Sequence, residues 1–234
     1  MEKKTFLIVG GSSGIGLELT KKLSVRGHQV FVYSRKGENL IGMENVHFRS
    51  LDVTDDEIDM GDLPEVIDGL VYCPGTINLK PFRRLDENDF LSDFKINVTG
   101  AVKVIQKAYT ALRKSDQASI VMFSTVAVKV GMNFHSSIAA SKGAVEGLVR
   151  SLAAEFAPKI RVNAIAPSLT DTPLAAPLLS TEAKKNHSSE IHPLKRYGKT
   201  EDQVNAALFL LGGESSWITG QILHVDGGLS VIKS

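Results

Sequence analysis

With 234 residues, the chain is long enough for one large α/β domain that buries a core without disulfide or metal staples, and no second domain is required. Its 27 Lys and Arg nearly balance its 26 Asp and Glu, which excludes the broad cationic field that draws proteins onto nucleic acid or a membrane surface and leaves a small molecule as the expected partner. The single cysteine, Cys73, excludes an intrachain disulfide and fits a reducing compartment, and no apolar run approaches the roughly 20 residues of a membrane span, so a soluble cytoplasmic protein is expected.

The first element is Thr5 to Val9. Behind Met1-Glu2-Lys3-Lys4 it has the outline of a signal peptide, but glycines cut the apolar run short and no small-residue cleavage site follows, so it reads as a buried first strand. Short continuous apolar runs recur at Gln29 to Tyr33, Val46 to Leu51, Leu70 to Tyr72, Ser119 to Phe123, Arg161 to Ala166 and Ile222 to Val225. Continuous rather than alternating apolar character marks strands buried on both faces of a parallel sheet. Helical patterns lie between most of them, at Ile15 to Arg26, Val98 to Leu112, Ser141 to Phe156 and Glu201 to Leu211. The alternation predicts a single domain spanning 1–234, an α/β fold with a doubly wound parallel sheet. Asp171 to Tyr197 is the longest weakly patterned stretch, and its Pro, Ser and His content predicts a mobile flap over a site. Its Leu174, Ala175, Ala176, Leu178 and Leu179 suit an apolar or amphipathic ligand.

Directly after the first strand comes Gly10-Gly11-Ser12-Ser13-Gly14-Ile15-Gly16, opening the first helix. Glycines permit a tight turn and close backbone approach, so that helix N-terminal amides and the helix dipole can hold a pyrophosphate. The same residues match the Gly-x-Ser-x-Gly elbow of hydrolases, with Ser12 as nucleophile, but the last histidine, His224, lies inside the final strand rather than at a strand end. At the end of the second strand, where a ribose-binding acid or a phosphate-binding arginine is expected, stand Ser34, Arg35 and Lys36. Two cations and a hydroxyl suit a 2′-phosphate, to which Arg35 can make bidentate bonds, so NADP(H) is expected rather than NAD(H).

These motifs resemble the classical short-chain dehydrogenase/reductase family, from about Thr5 to the C-terminus. The glycine loop is similar to the family's Thr-Gly-x-x-x-Gly-x-Gly, with Val9 in place of threonine, and implies the Rossmann fold with cofactor contacts from Gly10, Ser12, Ser13, Gly14, Ile15 and Gly16. Asp52-Val53 resembles the pair that contacts adenine, and Cys73-Pro74-Gly75 occupies the place of the Asn-Asn-Ala-Gly turn, keeping only its glycine. The segment between Asp52 and Cys73 is shorter than the family's, which implies a turn in place of a helix. Asn97-Val98-Thr99-Gly100 resembles the Asn-Val-x-Gly whose asparagine bends a helix and holds a water near the lysine. Pro167, Ser168, Leu169 and Thr172 lie on a stretch similar to the Pro-Gly-x-x-x-Thr that binds the nicotinamide carboxamide, with Ser168 where glycine is usual. Ile218-Thr219-Gly220-Gln221 and Val225-Asp226-Gly227-Gly228 also match, and the resemblance implies a homodimer or homotetramer built on the last strand and its preceding helix.

The family reduces a carbonyl or oxidises an alcohol with Ser, Tyr and Lys, the last two as Tyr-x-x-x-Lys on one helix face. The matching segment puts Lys142 on the lysine, where it would also bind the nicotinamide ribose together with the Asn97 region, and Ile138 on the tyrosine. The serine position falls on Thr125, thirteen residues before Ile138, beside Ser124. Isoleucine cannot transfer a proton, and three expectations follow. His135, seven residues before Lys142, supplies it with a reference pKa near 6.5; or water supplies it while positioning and cofactor carry the reaction; or oxidoreduction is lost and the chain binds NADP(H) as a scaffold or sensor. The expected catalytic set is therefore Asn97, Thr125, Lys142 and His135, with no metal, because the six histidines are scattered.

Overall fold

The computed structural model describes residues 2–233. Seven parallel strands form one sheet: β1 (Thr5–Val9), β2 (Gln29–Ser34), β3 (Val46–Ser50), β4 (Gly69–Tyr72), β5 (Ala118–Phe123), β6 (Ile160–Pro167) and β9 (Ile222–Val225). Their spatial order is β3-β2-β1-β4-β5-β6-β9. Each predicted apolar run is a strand, displaced by at most a residue or two at its ends.

Period-two geometry splits each strand between two cores. Leu7 and Val9 of β1, with Ile120 and Met122 of β5, face one core together with α3 (Gly100–Arg113) and α4 (Ser136–Phe156). Phe6, Ile8, Val121 and Phe123 face the other, against α1 (Gly14–Val25) and α6 (Thr200–Leu211). Leu7, Ile8, Leu19, Leu70 and Ile120 are fully buried, each worth roughly 1.5–3 kcal/mol in transfer free energy. No helix covers the stretch from Leu51 to Asp68, in line with its short length, and β3 is left largely exposed.

Three helices differ from the sequence reading. α2 (Glu87–Phe94) is additional; it starts on a capping box in which the Asp86 side chain accepts from Asp89 N and Asp89 accepts from Asp86 N. A π-helical turn, Lys95–Thr99, joins it to α3. α4 begins at Ser136 rather than Ser141, so its first turn and a half carries Ser137 and Ile138. The weakly patterned stretch 171–197 holds α5 (Glu182–Ile191), capped by Thr181, and is bracketed by a two-stranded parallel clasp of β7 (Thr170–Asp171) with β8 (Gly198–Lys199). α5 reads EAKKNHSSEI, too polar to show a helical stripe. No helix among the described residues is long and apolar enough to cross a membrane.

Candidate active site

The strand order reverses between β1 and β4, and the crevice at the carboxyl ends of the strands opens there. It is a cleft of about 1300 Å³. At one end the chain after β1 turns at Gly10 and Gly14, both with positive φ (76° and 52°), a conformation that disfavours side chains. A Cβ on Gly16 would lie 2.3 Å from the Gly10 carbonyl oxygen, so α1 packs against the loop as only glycine allows. Ser12 to Gly16 line the cleft with the start of α1, an anion-binding arrangement. Among the described residues no histidine bonds Ser12, and the hydrolase geometry is absent.

Ser34, Arg35 and Lys36 form the rim where β2 ends. The Ser34 hydroxyl donates to the Lys36 carbonyl at 2.9 Å, shaping the turn, while the two cations are exposed and enter no ion pair among the described residues. Asp52 accepts from Thr54 N and Oγ1 at 2.9 and 2.7 Å, and these bonds hold its carboxyl below the usual range. Asp52 and Val53 line the cleft beside Cys73, Pro74 and Gly75. A glycine-built turn at a helix start, the Asp52 carboxylate and a rim with two cations in no ion pair among the described residues share one cleft, whose shape and charge fit a dinucleotide carrying a 2′-phosphate.

The other end gathers Thr125, Ile138 and Lys142. Lys142 is buried, and its ammonium donates to the Phe123 carbonyl at 2.8 Å, which fixes it against the end of β5. Burial lowers its pKa to about 8, opposed by Cys73 and Asp93. Burial pushes the Cys73 thiol up to about 12. The Thr125 side chain caps a turn by accepting from Ala127 N at 3.3 Å, leaving its O–H directed by nothing else among the described residues. Ser124 is committed elsewhere: its hydroxyl donates to Glu146 at 2.8 Å, and Glu146 also meets Arg150. Ile138 is 5% exposed and lines the cleft one helical turn before Lys142. The one tyrosine of the lining, Tyr33, gives its hydroxyl to the Met60 carbonyl.

His135 is the residue immediately before α4, with φ −101° and ψ 13°, rather than part of a helical face shared with Lys142. Its Nδ1 lies 2.7 Å from the Asn133 carbonyl, so that nitrogen carries the proton and Nε2 is left to the cleft rim. Asn97 differs from expectation: it is 1% exposed and stands behind the cleft wall, its Nδ2 donating to Asp93 O and Thr76 Oγ1. It lies outside the cleft lining, behind Gly75 and Thr76. Pro167, Ser168, Leu169 and Thr172 close the end of β6, where sequence reasoning missed a partner. Ser168 Oγ lies 2.8 Å from Nε2 of buried His192. The far end is apolar, lined by Ile77, Met132, Leu174, Leu178 and Ile191.

A doubly wound parallel sheet with a glycine-built phosphate loop at its switch point defines a dinucleotide-binding α/β protein. The family model described as Enoyl-(Acyl carrier protein) reductase matches residues 9–230. The chain is 33% identical to a tropinone reductase homolog of Arabidopsis thaliana, over 96% of this chain and 92% of the relative. It is 30% identical to the 3-oxoacyl-(acyl-carrier-protein) reductase of Aquifex aeolicus, over 98% of each. The solved structure of ElxO with NADP bound superposes with a TM-score of 0.86 at 29% identity, over 97% of this chain and 99% of that one. The chain belongs to the short-chain dehydrogenase/reductase family of oxidoreductases.

Proposed function

We propose that this chain is an NADP(H)-dependent oxidoreductase that reduces a carbonyl, or oxidises the corresponding hydroxyl, of a small apolar compound, with Lys142 bearing the proton that a tyrosine bears elsewhere in the family. The observation that carries the reading is that Thr125, Ile138 and Lys142 line one end of the same cleft whose other end holds the glycine loop and Arg35. The cofactor, when bound, supplies the hydride. Ser34, Arg35 and Lys36 would take its 2′-phosphate, and Ser12 to Gly16 its pyrophosphate. Thr125 donates its hydroxyl hydrogen to the carbonyl oxygen and polarises it. Lys142, with its pKa lowered to about 8, is charged at neutral pH yet able to release a proton to the oxygen as negative charge develops. The apolar wall from Ile77 to Ile191 excludes water and selects an apolar substrate.

Relatives support the reading: ElxO is described with NADP bound, and the Aquifex relative is a reductase. Fluorescence titration with NADPH and NADH, followed by turnover of a generic α-diketone, tests it. The expected result is tighter binding of NADPH and oxidation of it only when diketone is present. NADPH binding with no turnover of any carbonyl or alcohol tried leaves the second reading, a non-redox NADP(H)-binding scaffold or sensor, which the buried Ile138 favours. We read the subunit arrangement as a homodimer or homotetramer, supported by Phe209, Trp217 and Leu223, exposed around α6 and β9 at 42%, 99% and 37%, and the location as cytoplasmic. Light scattering checks it.

A further inference from the structure

Among the described residues, Asp93 Oδ2 and Asn97 Oδ1 are buried acceptors without a hydrogen-bond partner. Both belong to one cluster behind Gly75. Asp93, near the end of α2, is 2% exposed. Its Oδ1 accepts from Thr76 Oγ1 at 2.6 Å, and its carbonyl accepts from Asn97 Nδ2 at 2.8 Å and Ser141 Oγ at 3.0 Å. A Cβ placed on Gly75 would lie 3.4 Å from Asn97 Oδ1 and 3.4 Å from Lys142 Nζ, so the amide oxygen and the ammonium flank the same bare α-carbon. Thr76 and Lys142 line the cleft, while Asp93 and Asn97 stand behind it.

A buried carboxylate with an unbonded oxygen is strongly disfavoured unless a counter-charge lies close by. Lys142 is the buried cation of this cluster, and its one hydrogen bond among the described residues goes to a neutral carbonyl. The geometry points to Asp93 as a positioning residue of the site: it is the buried counter-charge of Lys142, coupled to it across Asn97 and to the cleft through Thr76. The inference rests on the reading of Lys142 as the proton-bearing group of a reductase. When the carbonyl carbon gains hydride, its oxygen takes a proton from Lys142 Nζ; one N–H bond breaks, one O–H bond forms, and the lysine is left a neutral amine. It regains its proton from water, and the persisting negative charge of Asp93 favours that return.

The other groups around the pair are accounted for. Cys73 sits beside Lys142, but its thiol, pushed up to about 12, is neutral while the lysine titrates. Glu146, one turn along α4, is bonded by Ser124 and Arg150. Lys80 is exposed and is held by Asp89 at 2.5 Å. His135 stands at the cleft rim.

The test is a pH titration of 13C-labelled lysine side chains by NMR in the full chain, with the Lys142 signal assigned by its loss in Lys142→Met. Asp93→Asn, which keeps the shape, should lower the Lys142 midpoint by roughly one pH unit or more, a tenfold change in its ionisation. Asp93→Glu should restore most of it. Thr76→Val, which removes the bond that aims the carboxylate, should move the midpoint the same way by less. A midpoint unchanged in folded Asp93→Asn overturns the pairing; should that variant not fold, an unchanged midpoint in Thr76→Val overturns it instead. The NMR arm needs no turnover. In the activity arm, the high-pH limb of diketone reduction should fall in step with the midpoint; a moved midpoint with no reduction at any pH sinks the reductase reading and leaves the charge pair standing.

Discussion

The Ser168 hydroxyl and the His192 ring, 24 residues apart in the chain, are joined at 2.8 Å, and the second ring nitrogen lies 2.5 Å from the Ser188 carbonyl. A carbonyl can only accept, so Nδ1 carries the proton and Nε2 accepts from Ser168. His192 is 1% exposed and packs against Gly227, so one ring ties the end of α5, the exit of β6 and the loop after β9 together. Replacing His192 with Leu strands the carbonyl of buried Ser188 and unties the half-buried Ser168 hydroxyl, at a cost of roughly 1–3 kcal/mol. The melting temperature should fall by roughly 2–4 °C per kcal/mol, and limited proteolysis at Lys184 or Lys185 should accelerate. Unchanged cleavage would show that the ring does not anchor the flap segment.

Arg35 is the cation best shaped for a phosphate. With charged hydrogen bonds worth about 1.5–3 kcal/mol, Arg35→Ala should weaken NADPH binding by roughly tenfold or more while leaving NADH nearly untouched. Equal loss for both cofactors, read by fluorescence titration, would place the phosphate elsewhere.

Ile138 stands where a proton donor is missing. Ile138→Tyr, which adds a phenol one turn before Lys142, should raise diketone reduction by roughly 10²-fold or more if proton delivery by Lys142 limits the rate. If His135 already acts as the acid, the gain should be small, and His135→Ala should lower the rate of diketone reduction. Steady-state rates separate the two.

Lys142 also makes a stability prediction. Its folded pKa, about 8, lies below its ordinary 10.5, so between those values the unfolded chain binds more protons and stability rises with pH. Across that window the rise amounts to about 3 kcal/mol from this group. Lys142→Met should flatten it in denaturant titrations run at several pH values; a parallel curve would contradict the lowered pKa.

The strands were legible where a sheet covered on both faces writes each as a largely apolar run; β3, Val-His-Phe-Arg-Ser and largely exposed, is the exception. α2 and α5 were not, being short and polar, and the start of α4 was obscured by Ser136-Ser137, which carry no apolar stripe. That the glycine loop, Arg35, Thr125 and Lys142 line one cleft was legible because each lies on a local motif at a strand end or helix start. Thr76 with Asp93 and Ser168 with His192 were not, since these pairs are 17 and 24 residues apart and only the packing of separate elements brings them together. That Asn97 sits at a break between helices was legible, but not that it would be buried outside the cleft lining.

The bare outer flank of β3 carries a consequence for handling the protein. β3 is a terminal strand of the sheet, and from His47 to Ser50 its side chains are exposed. Its outward backbone groups are a template on which another chain could grow a strand, the usual seed of aggregation. Arg49, held by Asp59 at 2.6 Å over Gly61, lays a charged side chain beside that edge. An apolar residue in place of Arg49 would leave Phe48, 44% exposed, and its neighbours as an uncharged margin, and concentrated samples of such a variant are expected to aggregate sooner than the parent.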